Sequence, residues 1–377
     1  MNYIGSKQRL LPEIKKILKQ YRVPQTGRVL DLFTGTGAVS KLFKQMGYHT
    51  TANDWQYYAY LLATSYLMRN GFPCFLGLQA SAEWPLILET PPTTIPICAF
   101  DEIGEIEPLA PHKLVLSYLN CLPGKTGSFV NAYCESGDAG RLYFSHKNGK
   151  RIQDIRDKIT DWRNQQLVSS FEACWLVSCL LESADRVSNT ASVYGAYLKK
   201  IKKTAQKDLK MVAIKPVASE TPAYKHNVFC DDGAELLKKL SGEFLMTYLD
   251  PPYNHRQYSA NYHLLETIAC WDSDRFSPKG VTGLRETSGQ KSEFCGKLSA
   301  ESAFENLLDD VASPYLLFSY NNEGIVSEEA LRKLLSDRFS TVNFHKVSYP
   351  RFRSDNDSLN RKYKADSTKE FLILCKR

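Results

Sequence analysis

Short apolar runs in this chain alternate with stripes of apolar residues spaced three and four apart, the pattern of buried strands separated by amphipathic helices. Leu10, Leu11, Ile14, Ile17, Leu18 and Tyr21 share one helical face, with Pro12 tolerable in the first turn. Arg28-Val29-Leu30-Asp31-Leu32-Phe33 predicts a strand, and Val39, Leu42, Phe43 and Met46 predict the helix after it. The segment Tyr48 to Ala52 predicts a second strand, and two β/α units extend to about Asn70. From Gly71 to about Thr126 the pattern loosens among Pro91, Pro92, Pro96, Pro108, Pro111 and Pro123. Helical spacing returns between Arg151 and Asp185, through Ile152, Ile155, Ile159, Trp162, Phe171, Trp175 and Leu176. Strands resume near Val228, with further apolar runs at Phe244–Leu249 and Glu370–Cys375. The interval between Asp54 and Asp250 is too long for one crossover, so it should hold an inserted domain. The expectation is an α/β protein: a sheet domain from residues 1–70 and 226–377, and an inserted, mainly helical domain at 71–225.

The chemistry gathers at the predicted strand ends. Asp250-Pro251-Pro252-Tyr253 follows Phe244–Leu249. Proline cannot donate to a ladder, so the strand stops there, and two fixed φ angles stiffen the backbone of the tetrapeptide. A carboxylate, the Pro251 carbonyl and the Tyr253 ring on a rigid projection suit a flat, amino-bearing ligand such as adenine. Asp-Pro-Pro also occurs in ordinary turns. After the first strand, Thr34-Gly35-Thr36-Gly37 precedes a helix, where glycines let backbone approach a ligand near the positive helix end. Ser40 stands where a dinucleotide fingerprint has its third glycine, which argues against NAD. Asp54 lies roughly twenty residues beyond that turn, the spacing of a ribose-binding acid. A helix cap before Trp55-Gln56-Tyr57 is the structural alternative.

Together these motifs resemble the S-adenosylmethionine-dependent DNA adenine methyltransferases of the alpha class, the Dam-like group. The likeness covers Tyr3-Ile4-Gly5-Ser6-Lys7, Asp31 to Gly37, Asp54, Val228 to Leu236, Asp250 to Tyr258, Asn261 to Leu265, and Phe318 to Gly324, in alpha-class order. The resemblance implies a Rossmann-like methyltransferase sheet with helices on both faces, and an insert that carries target recognition. It implies Asp250, Pro251, Pro252 and Tyr253 as the catalytic tetrapeptide. It implies S-adenosylmethionine held by Tyr3, Lys7, Asp31, Phe33, Gly35, Gly37, Asp54 and Asp232, with Asp231 competing for the role of Asp232. Lys7 is a candidate for the cofactor carboxylate or a phosphate, or else an exposed helix-start lysine; Tyr3 packs on the cofactor or in the core. The implied activity is methylation of a flipped adenine in double-stranded DNA, with a cognate restriction endonuclease as functional partner. A methyltransferase of the same fold acting on RNA or on a cytosine amino group, and a non-catalytic DNA-binding homologue, are the other readings.

Composition changes this picture little. The 377 residues carry a net charge of +7, compatible with a polyanion. The 10 cysteines show no Cys-x-x-Cys pair, so no zinc site is expected, and scattered thiols suit a reducing cytosol. No apolar run reaches membrane length, and the expected location is the bacterial cytosol with its nucleoid. For DNA contact the insert offers Lys199, Lys200, Lys202 and Lys203, in a basic helix or loop, with a solvated face as the alternative. Tyr194, Tyr197, Arg141, His146, Asn148 and Arg151 are residue types that reach phosphates and base edges. Arg256, Gln257 and Tyr258, just past the tetrapeptide, are assigned to DNA; Asn261, His263 and Glu266 brace the next helix. His345, Arg351, Arg353, Lys362 and Lys364 form a further basic patch.

Overall fold

The computed structural model describes residues 3–93, 97–98, 110–220, 222, 225–240, 242–272, 278–286, 289–350 and 367–377. Two compact units emerge: Ile4–Ala63, Ser219–Asn261 and Thr287–Arg377 form one, and Met1–Tyr3, Thr64–Ala218 and Tyr262–Glu286 form the other. Strands are numbered in chain order: β1 (Arg28–Asp31), β2 (His49–Asn53), β3 (Ile97–Cys98), β4 (Ala213–Ile214), β5 (Asn227–Phe229), β6 (Met246–Leu249), β7 (Tyr315–Asn321), β8 (Thr341–Pro350) and β9 (Ser367–Lys376).

The first unit is built on a seven-stranded sheet in the order β5-β2-β1-β6-β7-β9-β8. Strands β5 through β7 run parallel, β9 is antiparallel to β7, and β8 is antiparallel to β9. Alternate residues of a strand face opposite sides, and here both sides are apolar. Leu30, Leu316, Phe318 and Ile373 pack in one core with Phe304, Leu307, Leu331 and Leu335 of the helices Ala300–Asp309 and Glu328–Ser336. Val29, Leu317, Leu372 and Leu374 pack in a second core with α1 (Leu11–Gln20) and α2 (Ala38–Gln45). Helices therefore cover both faces, which explains the near-continuous apolar character of the parallel strands. Pro12 sits in the first turn of α1, as its missing N–H allows.

The second unit is mainly helical, with β3 and β4 as a short parallel pair. The predicted helical stretch from Arg151 to Asp185 is two helices, His146–Asn164 and Ser170–Arg186. Gln166 takes a left-handed φ of 58° between them. Ser169 then starts the second helix with a reciprocal capping box to Glu172. Trp162, Trp175, Tyr133, Tyr143, Tyr194 and Tyr262 are fully buried here. Tyr262–Glu286, placed with the sheet domain from sequence, clusters with this unit because Arg156 caps the end of the helix His263–Cys270. Its guanidinium donates to the Ile268 carbonyl at 2.9 Å and to the Ala269 carbonyl at 3.0 Å. Among the described residues no helix is long and apolar enough to cross a membrane.

Candidate active site

The winding of the sheet reverses between β1 and β6, since β2 lies on the outer side of β1 while the later strands continue from β6. Ligands of open α/β sheets bind outside the carboxyl ends of the strands at such a switch point. The sequence motifs converge on that edge: Thr34–Gly37 follows β1, Asp54 follows β2, Asp231-Asp232 follow β5, and Asp250 follows β6.

The glycine turn is held by acids. Asp31 ends β1 fully buried; its Oδ2 accepts from Ser40 Oγ at 2.5 Å and Thr34 Oγ1 at 3.1 Å, while its Oδ1 is buried without a hydrogen bond. Ser40 is thus more than an absent glycine: it anchors the acid of β1 from the first turn of α2. Burial pushes the Asp31 carboxyl up to about 7, against the pull of the two hydroxyls. Asp54 accepts the Gly35 N–H at 2.8 Å on one oxygen and the Gln56 N–H at 2.9 Å on the other. It braces the glycine turn and the residue ahead of the helix Tyr57–Leu67 rather than capping that helix, and burial raises it to about 6. Gly35 and Gly37 have φ of 54° and 75°, a region costly for residues with a Cβ. Asn53 ties the neighbouring strand ends together, donating to the Leu32 and Asp231 carbonyls at 3.1 Å each and accepting the Asp231 N–H at 3.1 Å.

Asp250 is held differently. Its Oδ1 lies 2.9 Å from the Nζ of Lys7, which also donates to the Gly5 carbonyl at 3.1 Å. Lys7 is only 4% exposed, which rules out the exposed helix-start alternative, and it pairs with the acid of the tetrapeptide. Burial opposes charge on Lys7, but Asp250 and Glu370 outweigh it and hold the ammonium above its ordinary pKa. Burial likewise raises Asp250, to about 6, with Lys7 pulling it down. Asp250 Oδ2 and the Pro251 carbonyl take no hydrogen bond among the described residues. Tyr253 is fastened behind them: its carbonyl accepts the Ile325 N–H at 3.0 Å, and its ring meets Tyr320 edge-on at 6.1 Å.

Other predicted residues fall elsewhere. Tyr3, half-buried, stacks on Tyr262 at 4.6 Å within the helical unit. Phe33 packs edge-on to Phe294 at 5.6 Å, and a Cβ at Gly233 would come within 3.0 Å of its ring. Asp232 caps the helix Gly233–Lys239 through Oδ1, at 3.0 Å from the Ala234 N–H and 3.1 Å from the Glu235 N–H. Asp231 holds the Asp232 N–H and pairs with Lys239 at 3.6 Å.

The DNA-contact candidates divide sharply. Lys199, Lys200 and Lys203 are exposed on a loop, whereas Lys202 donates to the Thr190 carbonyl at 2.7 Å. Arg141, Asn148 and Tyr194 are buried structural groups: Arg141 donates to the Ala132, Gly280 and Val281 carbonyls, Asn148 braces Ala205 to Leu209, and Tyr194 donates to Asp185. Arg151 donates to the Asn120 carbonyl, His146 bonds Ser136, and Tyr197 meets Tyr143 edge-on. Gln257 is engaged at both ends of its amide with Ser292, at 2.9 and 3.2 Å, and Tyr258 donates to the Ile4 carbonyl at 3.4 Å. Arg256 alone of that trio is exposed. Of the C-terminal patch, His345 packs edge-on to Tyr21, while Arg351, Arg353, Lys362 and Lys364 lie outside the described residues. Sequence reading missed Glu370, Asn53 and the role of Ser40. An acid heading the apolar run Phe371–Cys375 was the available signal for Glu370.

Comparison with known proteins identifies the family. The family model of the D12 class N6 adenine-specific DNA methyltransferases matches residues 3–73 and 118–334. The type II methyltransferase M.NlaIII of Neisseria lactamica is 36% identical over 379 residues, covering 100% of this chain and 99% of that protein. The modification methylase StsI of Streptococcus sanguinis is 33% identical, covering 96% of this chain but 50% of that protein. The type II methyltransferase M.FokI of Planomicrobium okeanokoites is 31% identical, over 94% of this chain and 50% of its own length. With a strand-end acid, a glycine turn and the tetrapeptide on one sheet edge, and with matches of this extent, the chain belongs to the D12 class N6 adenine-specific DNA methyltransferases.

Proposed function

We propose that this enzyme carries out site-specific adenine methylation of DNA by using Asp250 and the Pro251 carbonyl to accept the two hydrogens of the adenine amino group. The observation that carries this reading is the asymmetric hold on Asp250: Lys7 fixes Oδ1, while Oδ2 and the adjacent carbonyl take no hydrogen bond among the described residues. The amino nitrogen is a poor nucleophile because its lone pair is delocalised into the ring. Two acceptors draw that nitrogen towards tetrahedral geometry, so the lone pair turns out of the ring plane. With its carboxyl at about 6, Asp250 is ionised at neutral pH and faces the positive charge that develops on the nitrogen. Tyr253 offers its ring for stacking, which helps offset the few kcal/mol needed to extrude a base from a duplex. Double-stranded DNA is the substrate this implies.

The residues of the glycine turn fit S-adenosylmethionine. Asp31 Oδ1 is a buried acceptor without a hydrogen bond, suited to an ammonium. Asp54 accepts one N–H on each oxygen and keeps lone pairs for ribose hydroxyls. Gly35 and Gly37 keep the backbone bare, and Asp232 has its second oxygen for an adenine amine. When bound, this donor supplies a methyl group already activated on a sulfonium.

The helical unit is the proposed target-recognition domain, with Lys199, Lys200 and Lys203 on phosphates and Arg256 as a further contact near the tetrapeptide. Replacing the three lysines by Gln should flatten the slope of log affinity against log salt by roughly 0.9 for each phosphate no longer neutralised. An unaltered slope would mark them as a solvated face. Protection of bacterial DNA from a cognate restriction endonuclease is the biological role this reading supports, since two of the relatives are named type II methyltransferases. The deciding experiment incubates the enzyme with labelled S-adenosylmethionine and duplex DNA and maps the modified bases. Label on one adenine within a fixed sequence is expected; label confined to cytosine or RNA would overturn the reading.

A further inference from the structure

A third charge borders the pair formed by Lys7 and Asp250. Glu370, near the start of β9, is only 3% exposed. Its Oε1 accepts from Asn321 Nδ2 at 2.8 Å, and Asn321 is also its register partner at the end of β7. Its Oε2 is buried without a hydrogen bond and lies 4.0 Å from Lys7 Nζ. Burying a carboxylate in this way costs desolvation, and nothing in the ladder or the core needs the charge. A glutamine could accept the same hydrogen bond from Asn321.

The charge is needed one step away. Asp250 is useful to the acceptor nitrogen because it is negative, yet a lysine ammonium 2.9 Å away largely cancels that field. Lys7 and Asp250 together are neutral; with Glu370 the cluster keeps one net negative charge. We propose that Glu370 is a positioning residue for methyl transfer, offsetting Lys7 so that Asp250 can be fixed by an ammonium and still present negative charge to the target amine. This rests on the assignment of Asp250 as acceptor of the amine hydrogens. Besides Lys7 and Glu370, the ionisable groups bearing on Asp250 are Asp31 at the end of β1 and Tyr248 within β6, while Tyr253 bears on Lys7.

The test is single-turnover methylation of a duplex across a range of pH, with cofactor and DNA affinities measured separately. Glu370→Gln should slow methyl transfer on the order of ten- to a hundredfold, with both dissociation constants unchanged. Its acid limb should move to lower pH, because Glu370 helps hold the Asp250 carboxyl up. Glu370→Asp, which keeps the charge, should recover most of the rate. A wild-type rate with an unmoved acid limb in Glu370→Gln, or equal damage in the Gln and Asp variants, would overturn the proposal. Should Glu370→Gln not fold, the Lys7→Met, Glu370→Gln double variant decides. With no cation left to offset, it must be no slower and no less heat-stable than Lys7→Met alone; further loss of either overturns the proposal. Asp250→Ala runs alongside: if it is inactive while Glu370→Gln is normal, this inference fails alone. If Asp250→Ala is active, the catalytic assignment beneath it fails.

Discussion

Asp31 and Asp54 on one side of the switch point, and Asp250 on the other, are acids at the same sheet edge held by opposite means. The first two are fixed by neutral donors: two hydroxyls on Asp31, and two backbone amides on Asp54. Asp250 is fixed by an ammonium. Burial raises all three, to about 7, 6 and 6 respectively, so a raised pKa does not tell framework from reagent here. The kind of partner does. Neutral donors orient a carboxylate without cancelling its charge, which suits the side proposed to receive a cationic donor molecule. In the proposed mechanism an ammonium secures ionisation of the acid that would meet a neutral amine, at the cost of screening it.

Removing the reagent acid should have the largest effect. Asp250→Ala is expected to lower the methyl-transfer rate by at least about 10²- to 10⁴-fold, with cofactor binding by calorimetry nearly unchanged. Asp250→Asn keeps the shape but loses an acceptor and the charge, and should be severely impaired as well. Full activity in either would erase the distinction between the two sides. Next comes the ammonium. Lys7 pulls the Asp250 carboxyl down, so Lys7→Met should push it above its present value near 6. Asp250 must be ionised to work, so the acid limb of kcat/KM should rise with it, and the rate at neutral pH should fall roughly ten- to a hundredfold. A stationary limb would mean the pair is structural.

On the cofactor side the effects should be smaller and of another kind. Asp54→Ala should weaken S-adenosylmethionine binding by about 1.5–3 kcal/mol in an equilibrium titration. An unchanged dissociation constant would leave Asp54 as a brace of the glycine turn and the Gln56 amide only. Ser40→Ala should be mildest. Ser40 pulls the Asp31 carboxyl down, so its loss raises a value already near 7. For an acid raised on folding, the stability it contributes is present at low pH and lost as pH rises through the folded value. The Ser40→Ala deficit should therefore grow from about 1 kcal/mol near pH 5, where Asp31 is protonated, to about 2 kcal/mol near pH 8. Thermal melts at both pH values check this, and equal deficits would show that Ser40 serves only as a neutral packing contact.

Much of this edge was legible in the sequence because it is built from local signals. Glycines that need positive φ, prolines that end a strand and acids that follow apolar runs announce themselves within a few residues of each other. What stayed hidden depends on register between distant strands. Glu370 reaches Lys7 only because β9 runs antiparallel beside β7, pairing Glu370 with Asn321. Lys7 itself belongs to a loop whose partner lies at the end of β6. The insert was read least well, since Arg141, Asn148 and Tyr194 are types that reach nucleic acid when exposed and close a helical unit when buried. Composition cannot separate those fates; Arg156, reaching the carbonyls at the end of His263–Cys270, shows how such groups knit remote segments together.

The order of the sheet also has a consequence for how a working copy is made. β1, the first strand of the sheet in chain order, pairs on one side with β6, and β7 finds its outer neighbour only in β9, the last described strand. Such non-local pairings must close long loops before they repay them, which slows folding. Asp250, the proposed acceptor at the target amine, and Glu370, proposed to offset its lysine, arrive late and far apart in translation. A nascent chain that has exposed its glycine turn is therefore not yet a methyltransferase, and modification of DNA must await release of the whole sheet.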